Sequence, residues 1–246
     1  MKKILILIFI LGTVAYLVFA ATVLSSKNQE LICQDVELFV KDSIQGSNIS
    51  KLDLINLLKA QKVYPVDRPM NLVSTIAIEK AIRTNPLIDQ VYCYKTPSGR
   101  IGIDIYQRIP IIRVFDKTGK KYIVDRNGKP MPPQTKCKSN ILVATGNITE
   151  EYACGPLYEF AKYIEDQEFW NNQIQQIHVN RDDAVELIPR VGEHTIYLGP
   201  LTDYDNKLER LRLFYKKVLN KIGWNKYSYI NLEFSNQIIC TDKHKK

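Results

Sequence analysis

The chain has 246 residues, of which 45% are apolar and 24% are charged, and its formal net charge is +8. Half of this charge comes from Lys2, Lys3 and the last five residues, so the body of the chain lacks the concentrated basic surface of nucleic-acid-binding proteins. The composition is typical of a globular protein and argues against nucleic acid as a partner.

An uncharged apolar run of about 21 residues spans 4–24 and predicts a single transmembrane helix, because about 20 helical residues cross a bilayer core. Lys2 and Lys3 precede the run, so we expect the N-terminus in the cytoplasm and the bulk of the chain outside it. The alternative is a cleaved signal peptide with a site near Ala20, although the run is longer than the usual signal core.

Residues 25–107 predict a small two-layer unit in the order βααββ. Ser50 and Asp53 have the spacing of a helix N-cap, and Ser74 or Thr75 is expected to cap a second helix that ends at Asn85-Pro86. The predicted strands are 31–40, 88–96 and 101–107, and the helices follow Ser50 and Ser74 or Thr75.

Residues 108–242 predict a β-rich domain with two helices. Alternating or continuous apolar positions, bounded by turn residues, indicate the strands. The predicted strands are 111–115, 122–124, 141–145, 173–180, 184–190, 195–198, 227–234 and 237–241, and the helices are 157–165 and 203–222.

The second of these helices has one continuous apolar stripe, which the sequence places at Leu208, Leu211, Tyr215, Val218 and Ile222. Its opposite face is basic, and two interpretations stay open: a surface for anionic lipid headgroups or glycan, or an ordinary solvated face. The residues of this basic face are Lys207, Arg210, Lys216, Lys217 and Lys221.

The C-terminal segment predicts a β-hairpin. Ile230, Leu232 and Phe234 alternate with polar residues, so we expect one strand with a buried face. Ser235-Asn236 is the expected two-residue turn, and 237–241 the final strand, at the edge of a sheet. An exposed edge can accept a strand from another protein, unless the basic tail 243–246 blunts it.

The sequence offers little catalytic chemistry. His178, His194 and His244 have no Cys, Asp or Glu at working spacing, and no phosphate-binding or dinucleotide motif occurs. Candidates for a glycan-cleaving carboxylate pair are Glu186 with Glu193, or the group Glu165, Asp166 and Glu168, but such acids are more often solvated. We therefore expect no enzymatic activity, no catalytic residues, no cofactor and no metal.

The five cysteines lack metal-ligand spacing and are expected to be small buried apolar residues, although a disulfide between Cys33 and Cys93 stays open. They are Cys33, Cys93, Cys137, Cys154 and Cys240.

Three motifs resemble the FtsQ/DivIB family of bacterial division proteins. They are QRIPIIRV at 107–114, the pattern G-x-x-Y-x-V-D-x-x-G from Gly119 to Gly128, and the closing INLEFSNQIIC at 230–240. In that family a POTRA domain is followed by a β domain. The resemblance implies an α+β fold divided into a cytoplasmic end at 1–3, a transmembrane helix at 4–24, a POTRA-like domain at 25–107, a β domain at 108–242 and a basic tail at 243–246.

The resemblance also implies a function. Relatives are non-enzymatic scaffolds with one membrane span, located at the division septum in the inner membrane. They link early and late division proteins and regulate septal peptidoglycan synthesis. The implied partners are FtsB-like and FtsL-like single-span proteins and, through them, the septal peptidoglycan synthases. The cytoplasmic end of three residues is shorter than in many relatives.

We expect a partner segment to pair with the final strand. The alternatives are a transport accessory that handles unfolded strands at the Tyr92–Tyr94 edge, and a periplasmic wall-modifying enzyme. The expected partner-binding residues are Tyr229, Asn231, Glu233, Phe234, Asn236, Gln237, Ile238, Ile239 and Cys240.

Overall fold

The computed structural model describes residues 2–27, 31–41, 49–133 and 141–243, and, within the first helix, the side chains of residues 9–22. Met1, Cys137, His244 and the rest of the basic tail after Lys243 lie outside the described residues. The chain divides into two compact units, 1–107 and 108–246.

The first helix, α1, spans Lys2–Lys27 and includes the predicted membrane segment. Its described apolar side chains are largely exposed, among them Phe9, Leu11 and Phe19. Of the helices in the described part of the chain, none has the length and apolar character that a membrane crossing requires.

The remainder of the first unit has the predicted βααββ order. The two helices begin where the sequence indicates: the Ser50 hydroxyl accepts a hydrogen bond from the Asp53 N–H at 3.1 Å, and the Ser74 hydroxyl accepts one from the Ala77 N–H at 3.2 Å. Ser74, not Thr75, is thus the second cap. The elements are β1 Asp35–Val40, α2 Lys51–Ala60, α3 Thr75–Ile82, β2 Ile88–Lys95 and β3 Arg100–Gln107.

These strands form a three-stranded sheet in the order β1-β3-β2. β3 lies at the centre, parallel to β1 and antiparallel to β2. Its residues Ile101, Ile103 and Ile105 are fully buried against α2 and α3, because successive side chains of a strand alternate between faces. The alternation in the sequence therefore located the core of this unit.

The second unit is built on one nine-stranded sheet. Its strands are β4 Pro110–Asp116, β5 Lys121–Asp125, β6 Pro130–Met131, β7 Leu142–Gly146, β8 Ile174–Val179, β9 Val185–Pro189, β10 Thr195–Gly199, β11 Tyr227–Asn231 and β12 Ile239–Asp242. The strand order is β12-β11-β10-β9-β8-β7-β4-β5-β6, so β12 and β6 are the two end strands.

The prediction of two helices in this unit was incomplete. Additional short helices flank the two predicted ones, and they are too short for an apolar period to show in the sequence. The helical elements are α4 Glu150–Cys154, α5 Pro156–Asp166, α6 Glu168–Gln173, α7 Tyr204–Phe214, a π turn at Tyr215–Leu219 and α8 Asn220–Ile222.

The π turn shifts the apolar stripe of the last helix. A π turn holds more residues than an α turn, so after Tyr215 the next buried residue is Leu219, not Val218. Ile222, also predicted on the buried stripe, is largely exposed. The predicted continuous stripe was therefore correct as far as Tyr215 and wrong beyond it.

The predicted basic face of this helix also needs correction. Lys216, Lys217 and Lys221 are exposed, but Lys207 is buried. The ammonium group of Lys207 donates hydrogen bonds to the carbonyl oxygens of Leu198 at 2.9 Å and Pro200 at 3.2 Å. Burial lowers the pKa of Lys207, and these two carbonyls replace the water that the group has lost.

Candidate partner-binding edge

The C-terminal strand β12 lies at one end of the nine-stranded sheet, where it pairs with β11. The pairing is antiparallel, with Asn231 opposite Ile239, Ile230 opposite Cys240 and Tyr229 opposite Thr241. Within the described residues no strand lies beyond β12. Its outer edge therefore has the backbone arrangement that accepts an added strand.

The other end of the same sheet is different. β6 consists of two residues, Pro130 and Met131, and the first of them has no N–H to donate. Very short end strands and edge prolines are devices that prevent strand addition. Of the two ends of this sheet, the one at β12 is thus the better acceptor.

The connection between β11 and β12 is longer than predicted. It spans residues 232–238, so the two-residue turn at Ser235-Asn236 was wrong, and the last strand begins at Ile239 rather than Gln237. Asn231 redirects the chain, since its Oδ1 accepts a hydrogen bond from the Glu233 N–H at 2.8 Å. No residue of this loop has the positive φ that a two-residue hairpin turn of the expected type requires.

The early end of β11 also changes the position of Phe234. Leu232 is fully buried, as predicted, but Phe234 is 46% exposed. The alternation of faces holds only inside a strand, and β11 ends at Asn231. Phe234 is therefore a loop side chain at the surface and does not belong to the core.

Arg210 of α7 holds this loop in place, a role that the sequence did not indicate. Its guanidinium donates hydrogen bonds to the carbonyl oxygens of Phe234 at 2.6 Å, Leu232 at 3.0 Å and Gln237 at 3.4 Å. A guanidinium has five N–H donors in a fixed plane, so one side chain can bind several carbonyls.

A groove of about 300 Å³ lies between the last helix and this loop, beside the start of β12. Its walls combine apolar side chains with the ends of two basic ones. Among the residues that line it are Leu213, Phe214, Lys217, Asn236, Gln237 and Ile238.

The remaining predicted residues lie on β11 and β12. Ile239 is 44% exposed at the sheet edge, whereas Cys240 is partly buried against the core, and burial raises the pKa of its thiol to about 11. Tyr229 lies on the face of the sheet opposite to that of Cys240. Its hydroxyl donates a hydrogen bond to Glu186 Oε1 at 3.1 Å. Burial, with Glu186 as a second cause, raises the pKa of Tyr229.

Two family comparisons cover most of the chain. The family described as "FtsQ/DivIB, C-terminal related" matches residues 109–241, more than half of the chain, and a POTRA-like domain matches residues 31–106. The chain belongs to the FtsQ/DivIB family. Among curated proteins, no relative matches it. Both matched families are non-catalytic scaffold families, and membership of the FtsQ/DivIB family implies partners among division-complex proteins.

Three of the five carboxylates considered for catalysis in this FtsQ/DivIB chain have structural partners. Glu186 accepts the Tyr229 hydroxyl, Glu165 Oε1 lies 3.1 Å from Arg126 Nη2, and Glu193 forms an ion pair with Lys243. Within the described residues, no cluster of three or more His, Cys, Asp or Glu side chains could hold a metal ion.

The two histidines in the described residues have unforeseen neighbours. His178 lies directly opposite Glu186 in the sheet, a proximity that comes from strand pairing and not from spacing along the sequence, and its Nδ1 is 3.0 Å from the Thr145 hydroxyl. His194 is buried, with Nε2 2.9 Å from the Tyr215 hydroxyl. Cys33 and Cys93, the pair considered for a disulfide, are free thiols.

Proposed function

We propose that this chain is a non-enzymatic, membrane-tethered scaffold of the bacterial division machinery, which binds partner proteins by strand addition to β12. On this proposal the partners are FtsB-like and FtsL-like single-span proteins at the septum. Through them the chain links early and late division proteins and regulates the septal peptidoglycan synthases. Family membership supports the division role, and the open β12 edge supports the mode of binding.

This proposal is based on the difference between the two end strands of the nine-stranded sheet. β6 is short and begins with a proline, whereas β12 has four residues and no strand beyond it in the described part of the chain. An added strand gains affinity from main-chain hydrogen bonds, which any extended peptide supplies. Specificity must therefore come from the side chains that flank the edge.

Two features beside β12 supply such specificity. The exposed Ile239 offers an apolar contact at the edge itself, and the groove beside the 232–238 loop offers another. Lys216, Lys217 and Lys221 are exposed on the adjacent helix, so an acidic partner segment would be favoured over a basic one.

A proline scan of β12 tests the proposal. Proline replaces Ile239, Cys240 and Thr241 one at a time, and the full-length chain is co-purified with its division partners. The N–H groups of an edge strand point alternately inward and outward. We expect proline at a position with an outward N–H to abolish partner recovery without loss of stability, and proline at an inward position to lower stability.

The control is Ile239→Val, which keeps the N–H and the β-branched apolar side chain. We expect it to retain the partner. Recovery of partners at the level of the natural sequence by every well-folded proline variant would exclude β12 as the binding edge, while leaving the family assignment intact.

The transport-accessory alternative requires the edge of β2 around Tyr92–Tyr94 to accept strands. Glu79 of α3 and Arg83, the residue that follows α3, already bind backbone groups of that edge, and this weighs against the alternative. The wall-modifying alternative predicts that the purified chain releases glycan. Such release would support the alternative, and its absence would favour the scaffold.

A further inference from the structure

The strand β2 is an end strand of the three-stranded sheet, yet side chains from α3 and its C-cap bind the outer backbone groups of β2. Glu79 Oε1 accepts a hydrogen bond from the Cys93 N–H at 2.9 Å. Arg83 Nη2 donates to the Val91 carbonyl oxygen at 3.4 Å. Arg83 Nη2 also lies 3.5 Å from Glu79 Oε2, so the two side chains form one ion pair along the helix.

The positions of these two backbone groups follow from the ladder. β2 pairs antiparallel with β3, with Val91 opposite Ile105 and Cys93 opposite Ile103. In an antiparallel ladder, alternate residues direct both their N–H and their C=O towards the same neighbour. Val91 and Cys93 are two residues apart and bind the side chains of Arg83 and Glu79, so the backbone groups of both point away from β3, towards the open edge.

A second copy of β2 fits this edge with a defined register. In an antiparallel pair of β2 strands centred on Tyr92, Val91 of one copy lies opposite Cys93 of the other. Both residues point outward, so they would exchange two hydrogen bonds. The same register brings the Asp89 end of one strand beside the Lys95 end of the other, which is favourable in charge.

The donor and the acceptor of that pair are the groups that Glu79 and Arg83 bind. The Cys93 N–H would donate to the Val91 carbonyl of the second copy, but in the monomer it donates to Glu79, and Arg83 covers the Val91 carbonyl. We propose that Glu79 and Arg83 are a guard that keeps β2 from pairing with β2 of a second copy. Charged side chains at an edge are a recurring means of preventing such pairing.

Removal of the guard tests the proposal. The double variant Glu79→Ala with Arg83→Ala is compared with the natural full-length chain, both in a mild nonionic detergent, by sedimentation equilibrium. We expect the association constant for dimers to rise by about tenfold or more, because two edge hydrogen-bonding groups per copy become available. Lys80→Ala, on the exposed face of the same helix, is the matched control and should stay at the natural level.

A cross-link tests the register. Tyr92 would face itself across the two-fold axis as a non-hydrogen-bonded pair, whose Cα atoms lie about 4.5 Å apart, within reach of a disulfide. Tyr92→Cys should give an oxidised dimer when it is combined with Glu79→Ala and Arg83→Ala. In a chain that keeps Glu79 and Arg83, it should give little dimer. Equal cross-linking in both backgrounds would overturn the guard.

Folding of the variants is checked by circular dichroism. If the double variant does not fold, Arg83→Ala alone serves instead, because that side chain is 58% exposed and its loss uncovers only the Val91 carbonyl. An unguarded variant that folds and remains monomeric at the concentrations used would overturn the proposal. The β12 interface is untouched by these changes, so partner recovery should be unaffected.

Discussion

Arg210 and Phe234 are joined by a short hydrogen bond, in which Arg210 Nη1 donates to the Phe234 carbonyl oxygen at 2.6 Å. The same guanidinium binds the Leu232 carbonyl through Nη2 at 3.0 Å. One helix side chain therefore fixes the loop that leads into the end strand β12. The position of the proposed binding edge depends on a residue outside the terminal hairpin.

We expect Arg210→Ala to lower the free energy of unfolding by about 1–3 kcal/mol, because three carbonyls lose a charged donor and the bond to that of Leu232 is partly buried. Partner recovery should fall as well, since the loop loses its anchor. Urea unfolding and co-purification measure the two effects. Arg212→Ala, two residues further on the exposed surface, is the control. Equal behaviour of the two variants would contradict the anchoring role.

Gly146, at the end of β7, is expected to tolerate no side chain. Its φ is +111°, and a Cβ there would lie 2.2 Å from the Val179 carbonyl oxygen. Gly119 also has a positive φ, +88°, but nothing lies within 4 Å of its Cβ position. The two glycines therefore separate backbone strain from steric overlap.

Gly119→Ala should cost about 1–2 kcal/mol, the usual penalty for a side chain in the left-handed region. Gly146→Ala should cost about 1–3 kcal/mol more, because the backbone of β8 must move. Urea unfolding of both variants measures the difference. Similar unfolding midpoints for the two variants would show that β8 can move away from the added Cβ without loss of stability.

Asp125 and Arg108 form a buried ion pair at the start of the second unit, with Arg108 Nε 2.6 Å from Asp125 Oδ2. The second carboxylate oxygen accepts the N–H groups of Asn127 and Lys129 at 2.9 and 2.8 Å. Asp125 thus closes the turn after β5 and neutralises Arg108.

We expect Asp125→Ala to destabilise the second unit by about 3–5 kcal/mol, the usual cost of leaving one buried charge without its partner. Asp116→Ala is the control, because Asp116 also accepts turn N–H groups but its carboxylate is exposed. Its replacement should cost much less than that of Asp125, because water can solvate the N–H groups that it leaves. Thermal unfolding followed by circular dichroism compares the two variants. Equal losses of stability would show that the ion pair of Asp125 with Arg108 adds nothing beyond the turn hydrogen bonds.

The sequence predicted those parts of the fold that local periodicity determines. The strand alternation of Ile101, Ile103 and Ile105 and the caps at Ser50 and Ser74 depend on residues a few positions apart, and the structure confirms them. The family resemblance, carried by motifs in a fixed order, was also confirmed.

Features that depend on distant contacts were not predictable. Lys207 looks like a surface lysine until the carbonyls of Leu198 and Pro200 are brought beside it. Arg210 has no local signal for the loop it binds, and without that contact the seven-residue loop could not be distinguished from a tight turn. The π turn, which moves burial from Val218 to Leu219, likewise depends on packing.

The buried pair of His194 and Tyr215 makes stability depend on pH. Burial lowers the pKa of His194 below its ordinary value of 6.5, and the backbone of Trp224 offsets only part of this shift. The unfolded chain therefore takes up a proton near pH 6.5, while the folded chain still holds this imidazole neutral. Stability is unaffected well above that pH and falls as the pH drops below it, until the folded pKa is reached.

We expect the free energy of unfolding to fall by at most about 1.4 kcal/mol per pH unit from this one group. His194→Gln keeps a side chain that can bond to the Tyr215 hydroxyl but does not titrate, so its stability should vary less between about pH 7.5 and 5.5. His178→Gln, on the half-exposed face of the sheet, controls for the loss of a histidine elsewhere. Urea unfolding at several pH values gives the slopes, and an unchanged slope for His194→Gln would show that the buried imidazole does not control the acid response.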